Sequence, residues 1–337
     1  MLTRYEAAAA TRPRHGDPLV SAAGNDATPI SLVDQEAGAS GGPTVLRMLL
    51  GAHLRRLREA RGVSREDAGW EIRSSESKIS RMELGRVSFK ERDVVDLLTL
   101  YGLDDPQERD RLLALARQAN TPGWWHRYGE VLPSWFQSYL GLEAATSLIR
   151  TYEVQFIPGL LQTRDYARAV VMLGHERALD EEIERRVDLR MARQQLLTRS
   201  NPPQLWAVLD EALLRRPIGG AKVMVAQLEA LINVSQLPNV RLQVIPFAAG
   251  GHAAAGGAFS ILRFPDEDLP DVVYVEQLTS ALYLDKRDDV DQYAVAMETL
   301  CIQAAPPEHT QDILQRIAGD YGKEPPQEAL DGPTPSR

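Results

Sequence analysis

Apolar residues recur at helical spacing once the chain passes residue 44. From Val45 to Arg61, Leu50, Leu54 and Leu57 share one face while Arg47, Arg55 and Arg56 fall largely off it. This predicts an amphipathic helix that ends at Gly62-Val63-Ser64. Ser64 is placed to cap a short helix reaching about Ile72, with Asp67 three residues on as a variant capping box and Glu66 near the positive helix end. After Arg73 and Ser74, Ser75 can cap a second short helix over Glu76 to Glu83, with Ile79 and Met82 inward and Gly85 as its stop. Ser77, Lys78 and Arg81 are then left pointing outward. Further helices are expected over about Lys90 to Tyr101 and Pro106 to Gln118.

The pattern changes at TPGWWHRYGE, residues 121–130. Long helices are expected at Pro133 to Glu153, Thr163 to Leu173 and Asp180 to Arg199. Beyond Pro202 and Pro203 the runs QLWAVLD, VRLQVIPF, AFSILRF and DVVYVEQ are short, apolar or alternating, and bounded by Pro, Gly and Asp, which reads as strands. Helices over about Ala221 to Ser235, Arg287 to Gln303 and Pro307 to Ala318 complete the unit. The expected architecture is an N-terminal all-α domain followed by an α+β domain, with no repeat of fixed period. Its divisions are a flexible arm over 1–43, rich in Ala, Gly, Pro, Ser and Thr, a helical domain over 44–119, an α+β domain over 120–320 and a frayed tail over 321–337.

Composition adds bounds. At 337 residues, two domains plus tails is the natural expectation, and 44% apolar with 25% charged residues is ordinary for a globular protein. No apolar run nears the roughly 20 residues of a membrane helix. The first residues carry no convincing signal peptide, so a cytoplasmic location is expected. Cys301 is the single cysteine, which excludes an internal disulfide and a cysteine-based zinc cluster and suits a reducing compartment. Charge informs only when divided. Thr44 to Lys90 holds eleven Arg and Lys against six Asp and Glu, a balance of +5 that leaves −14 elsewhere in a chain whose total is −9. A basic module on an acidic body suits a polyanion partner, because charges beyond about 8 to 10 Å are largely screened at physiological salt.

Two short helices joined by a tight turn, with a helix before and more behind, have the layout of a helix-turn-helix module. SREDAGWEIRSSESKISRMELG, residues 64–85, resembles the Xre or phage-repressor type, the fit lying at Ser75, Ser77, Ile79, Ser80, Arg81, Glu83 and Gly85. The resemblance implies that Glu76, Ser77 and Arg81 read bases, that Ser75, Lys78 and Arg65 lie near the DNA backbone, and that Arg58 and Glu83 form a partly buried ion pair orienting the reading helix. Arg81 is the strongest candidate reader, since a guanidinium can bond guanine O6 and N7 together, worth about 1 to 3 kcal/mol of discrimination. Arg55, Arg56, Arg65, Arg86 and Lys90 are expected on phosphate oxygens. Two positions depart from the family pattern. Gly69 replaces the usual Ala, keeping the helix crossing close at up to about 1 kcal/mol of helix propensity. Arg73 replaces the usual turn Gly, where a left-handed backbone costs roughly 1 to 2 kcal/mol unless the turn differs. From pattern alone, a helical protein-interaction module with a solvated arginine face is the alternative.

In the second unit, EVQFIPGLLQTRDYARAV, residues 153–170, reads from chain physics as a buried inter-helix elbow, with a ligand site as the alternative. IPGLLQT and the following YAR, with Leu142-Glu143, ARQQLL at 192–197, LDEALLRR at 209–216 and LQVIPF at 242–247, resemble the C-terminal domain of WhiJ-like regulators of actinobacteria. That resemblance covers about residues 120 to 305. It implies DNA-binding transcriptional control, with a small acidic protein encoded nearby as partner in an antitoxin-like arrangement. His126, His175, His252 and His309 have no paired ligand spacing, so no metal site or cofactor is expected. Asp210, Glu211, His252 and Glu276 can in principle supply acid and base groups, yet fit no nucleophile-base motif, and no catalytic role is expected. The glycine-rich loop over Ala248 to Gly257 lacks the placement and ending of a phosphate loop. The combined expectation is a sequence-specific DNA-binding regulator that recognises an operator as a homodimer, its second domain serving an effector, a partner or dimerisation. An antitoxin-like protein-binding module whose DNA contact is autoregulatory is the alternative.

Overall fold

The computed structural model of the chain describes residues 42–175, 177–254, 256–266 and 269–323. The expected arm over 1–43 lies outside the described residues except for its last two, and Pro43 already opens a helix. Of the expected tail over 321–337, all but the first three residues lie outside the described residues as well.

Five helices form the first part: α1 (Pro43–Ala60), α2 (Arg65–Glu71), α3 (Glu76–Glu83), α4 (Glu91–Leu100) and α5 (Pro106–Ala119). Their shared core holds Leu50 and Leu54 of α1, Ala68, Ile79, Met82, Phe89, Leu97, Leu98 and Leu112. Local chemistry sets the short helices. Ser64 Oγ accepts from the Asp67 amide at 3.0 Å, and Ser75 Oγ accepts from the Lys78 amide at 3.3 Å. Gly85, at φ +64°, ends α3, its amide donating to Met82 O.

The second part comprises α6 (Ser134–Glu143), β1 (Leu148–Glu153), α7 (Arg164–Gly174), α8 (Asp180–Gln194), β2 (Gln204–Asp210), α9 (Glu211–Arg215), α10 (Ala221–Val234), β3 (Val240–Ile245), β4 (Phe259–Arg263), β5 (Val272–Glu276), β6 (Ala281–Leu284), α11 (Arg287–Gln303) and α12 (Thr310–Tyr321). The strands form one mixed sheet in the order β3-β2-β1-β4-β5-β6. Its first half is parallel, Leu148 beside Gln204 and Leu205 beside Val240, and its second half antiparallel, Leu148 beside Arg263 and Tyr274 beside Tyr283. One face, with Ile149, Leu205, Ala207, Leu209, Leu242 and Tyr274, packs with Tyr166, Leu228, Leu231 and Leu314 of α7, α10 and α12. The opposite face, with Tyr152, Val208, Ile261 and Val273, packs on Val290, Met297 and Leu300 of α11.

The expected helix over Pro133 to Glu153 is therefore corrected: it stops at Glu143, and Leu148–Glu153 is the central strand. Both faces of that strand are covered, so its apolar residues carry no clean alternation, and Ile149 and Thr151 are β-branched. The edge strand β6 is a second departure, four residues long and mostly half-buried. The helix expected to Arg199 ends at Gln194 and tightens into a 3-10 turn over Gln195–Leu197.

The two parts share α1. Leu50 and Leu54 fill the first core, whereas Val45 and Met48, one turn earlier, are buried in the core of the second. The start of α1 sits so close to α6 that a Cβ on Gly141 would overlap Thr44 Oγ1.

Candidate functional site

The pairing of α2 with α3 rests on two backbone features. A Cβ on Gly69 would lie 2.9 Å from Ser74 O, so only glycine lets α2 approach the turn this closely. Arg73 adopts φ +52°, alone among the described non-glycine residues in the left-handed region. The turn keeps the left-handed geometry despite the arginine, and its strain is met by Ser74 N donating to Gly69 O at 2.7 Å. α1 crosses α3 equally tightly, since a Cβ on Gly51 would lie 2.6 Å from Glu83 O.

With Ile79 and Met82 each 1% exposed, α3 presents the opposite face to solvent. Ser75, Glu76, Ser77 and Arg81 are all exposed, and Arg81 Nε donates to Ser77 O at 3.3 Å along its own helix. Behind the helix, Arg58 Nε donates to Glu83 Oε1 and Arg58 Nη2 to Glu83 Oε2 at 3.3 Å. Because both groups are buried, the desolvation cost offsets much of their attraction, and the pair adds little net stability. Arg58 Nη1 also donates to Val63 O at 2.8 Å, tying the α1–α2 loop to the same group.

The expected phosphate contacts divide. Arg65 Nε pairs with Glu83 Oε2 at 2.9 Å and Lys78 Nζ with Asp93 Oδ2 at 2.6 Å, so each holds α3 to a neighbouring helix as well as standing beside its face. Lys90 is exposed at the start of α4. Arg55 makes an exposed pair with Glu59 at 2.9 Å, and Arg56 Nη2 lies 2.8 Å from His53 Nδ1. Exposed pairs of this kind are worth little and release easily. Arg86, also expected on phosphate, is exposed; it donates to Tyr283 O at 2.9 Å and lies 3.7 Å from Asp285, both beside or within β6. Arg55, Arg56 and Arg86 line a cleft of about 290 Å³ that Tyr283 and Asp285 close from the other side.

In the second part, the carboxyl end of β1 opens into a larger cavity of about 590 Å³ between the sheet, α6 and α8. Arg193 donates to both oxygens of Glu143, at 3.0 and 2.7 Å, and the pair is fully buried. Glu153 and Glu276 line the same cavity, and burial with the neighbouring Glu276 carboxylate pushes Glu153 up to about 8. Elsewhere His252 Nε2 lies 3.1 Å from Tyr152 Oη and 3.5 Å from Asp210 Oδ2, so the structure brings together two of the four candidate acid-base residues. Glu211 is engaged apart from them, bonding Arg215 and the Phe247 amide. Glu276 accepts from Tyr274 Oη at 2.9 Å.

A family model described as "Domain of unknown function (DUF5753)" matches residues 136–316, more than half of the chain, and one described as "Helix-turn-helix domain" matches residues 49–112. The chain belongs to the DUF5753 family. No curated protein and no solved structure matches it. A helix-turn-helix domain is a DNA-binding module of transcriptional regulators, and here it stands ahead of the DUF5753 region. No helix among the described residues is long and apolar enough to cross a membrane.

Within the DUF5753 region, reading the sequence singles out the stretches around Glu143, Gln162 and Arg193 without assigning them a site. The geometry joins them. Gln194 Nε2 donates to Gln162 O, Gln162 Nε2 donates to Ile157 O at 2.8 Å, and a Cβ on Gly159 would meet Arg193 Nη1 at 3.0 Å. The Pro-Gly elbow is thus both a packing device and one wall of the cavity. In the sequence Glu143 and Arg193 are ordinary charged residues fifty positions apart, and nothing in local spacing connects them.

Proposed function

We propose that the chain is a sequence-specific transcriptional regulator that docks the exposed face of α3 in the DNA major groove. The observation that carries this reading is the exposed Glu76, Ser77 and Arg81 on a helix locked from behind by the buried Arg58–Glu83 pair. Arg81 reads guanine, Ser77 and Glu76 contact neighbouring base edges, and Ser75, Lys78, Lys90 and Arg65 meet the backbone. Arg55 and Arg56 supply phosphate contacts only where the cleft toward β6 leaves them free, and Arg86 serves to seat the second domain rather than DNA.

One eight-residue helix reads few bases, so the regulator acts on its operator as a homodimer with half-sites about one helical turn apart. On this reading the regulator works in the cytoplasm and uses neither a catalytic step nor a metal. The likeness of the second domain to WhiJ-like regulators supports an Xre-type reader controlled through that domain by a ligand or a small acidic protein. Titration of the chain against DNA from its own promoter region tests the reading. Binding should weaken steeply with salt, and Arg81→Ala should cost about 1 to 3 kcal/mol on the preferred sequence while leaving weak non-specific binding nearly intact. Salt-insensitive binding, or an Arg81→Ala variant with wild-type affinity and selectivity, overturns it.

A further inference from the structure

The cavity at the carboxyl end of β1 has three properties that belong to a binding site and that the packing of the domain does not require. Its position is the first. β1 and β5 flank β4 and both run antiparallel to it, so the two strands end at the same edge of the sheet. Glu153 ends β1 and Glu276 ends β5, which places two carboxyl groups at one rim.

Its polar balance is the second. Glu143 and Arg193 neutralise each other through two hydrogen bonds, and the remaining groups are Glu153, shifted toward its protonated form, the Glu276 carboxylate and Arg190. The proximity of the two carboxylates raises the proton affinity of Glu153, after the larger effect of burial. A cation placed between them removes that repulsion. The third property is an unmet acceptor. Gln162 lines the cavity and is 5% exposed, yet its Oε1 has no hydrogen-bond partner, although its Nε2 is satisfied by Ile157 O. A buried acceptor left unpaired is costly, and a donor group offsets that cost.

Phe136 and Tyr139 stack with ring centroids 5.5 Å apart and form an aromatic wall continued by Phe156 and Tyr274. A volume of about 590 Å³ lies within the usual range for small-molecule sites, which is about 300 to 1,000 Å³. We infer that this cavity binds a small organic amine, its ammonium group held by Glu153 and Glu276, its donors reaching Gln162, and its apolar or aromatic body against Phe136 and Tyr139. An organic acid is disfavoured because Arg193 is already paired with Glu143 and only Arg190 remains to meet it. The inference concerns the second domain alone and stands or falls without the DNA-docking reading.

The experiment is calorimetric titration of the full chain, without DNA, using matched probes: hexylamine, phenethylamine and tryptamine, each beside its alcohol and its carboxylate of equal length. At least one amine should bind, and it should bind about 10- to 100-fold more tightly than its alcohol, the value of a charge-assisted hydrogen bond. Glu153→Gln and Glu276→Gln should each reduce that preference by about tenfold or more. Retained circular dichroism and a cooperative melt show that a variant is folded. Phe136→Leu, which keeps the polar groups, should weaken aromatic amines more than hexylamine. No binding by any of the three amines, equal binding of amine and alcohol, tighter binding of the carboxylates, or an amine preference untouched in both folded Gln variants overturns the proposal.

Discussion

Removing the charges behind α3 separates orientation from stability. Glu83 is 2% exposed at its side chain and accepts from Arg58, itself 8% exposed, and from Arg65 at 34%. Arg58→Met leaves a buried carboxylate with Arg65 as its one remaining cation. Breaking a buried pair costs about 3 to 5 kcal/mol, and the surviving Arg65 contact at 2.9 Å places this case near the lower end, about 3 kcal/mol. The double variant Arg58→Met with Glu83→Leu removes both charges and their desolvation cost together. Its stability should return to within about 1 kcal/mol of the parent, because apolar replacement of a buried pair is commonly near neutral. Its DNA affinity should not return, since α3 then loses the two-pronged link that fixes its tilt against α1. Urea unfolding followed by circular dichroism reads the first quantity, and titration with promoter DNA reads the second. A single variant that costs under about 1 kcal/mol, or a double variant with parental stability and parental DNA affinity, refutes the orienting role.

Gly51→Ala places a methyl group 2.6 Å from Glu83 O, so overpacking of about 1 to 3 kcal/mol should exceed the roughly 1 kcal/mol of added helix propensity, and both urea stability and DNA binding should fall. Arg73→Gly relieves a left-handed arginine worth about 1 to 2 kcal/mol, offset by about 0.5 to 1 kcal/mol of unfolded-state entropy, and should raise the urea midpoint slightly without changing DNA affinity. Glu153 interacts with Glu276 and Thr151 and shares its cavity with Tyr274 from β5, Arg190 and Arg193 from α8, and Glu143 and Tyr139 from α6. Its proton affinity is raised in the fold, from an ordinary 4.5 to about 8, so its stabilising protonated form is fully present below about pH 4.5 and is lost as pH rises through about 8. Stability of the parent should therefore decline relative to Glu153→Gln between pH 5 and about pH 9 in parallel urea titrations, and a constant difference across that range contradicts the assignment.

What could be read in advance follows from how local each cause is. Ser64, Ser75 and Gly85 act within one turn of themselves, so α2 and α3 were legible to within a residue, and so were the outward Arg81 and the inward Ile79 and Met82. The Arg58–Glu83 pair spans 25 residues and became legible only through likeness to a known motif. Gly51 carries no such mark, because a glycine inside an amphipathic helix looks like a minor loss of propensity until the helix that crosses it is known. β1 failed for a different reason. Its partners Gln204 and Arg263 both lie more than fifty residues downstream, and burial on both faces erased the alternation that marks a half-exposed strand. Misreading β1 as helix in turn hid the cavity, whose carboxyl rim exists only if Glu153 ends a strand beside β5. It also hid the seat of Arg86, since β6 was missed and with it the Tyr283 carbonyl that accepts from that arginine. The residue directly after Gly85, at the exit of α3, thus donates to the far edge of the sheet. Tyr283 packs in turn on Tyr274, with ring centroids 5.3 Å apart, and Tyr274 lines the cavity. Two regions that looked independent along the chain thus meet through the packed Tyr283 and Tyr274 as well as through α1 and α6, a relation fixed by strand order and beyond the reach of local pattern.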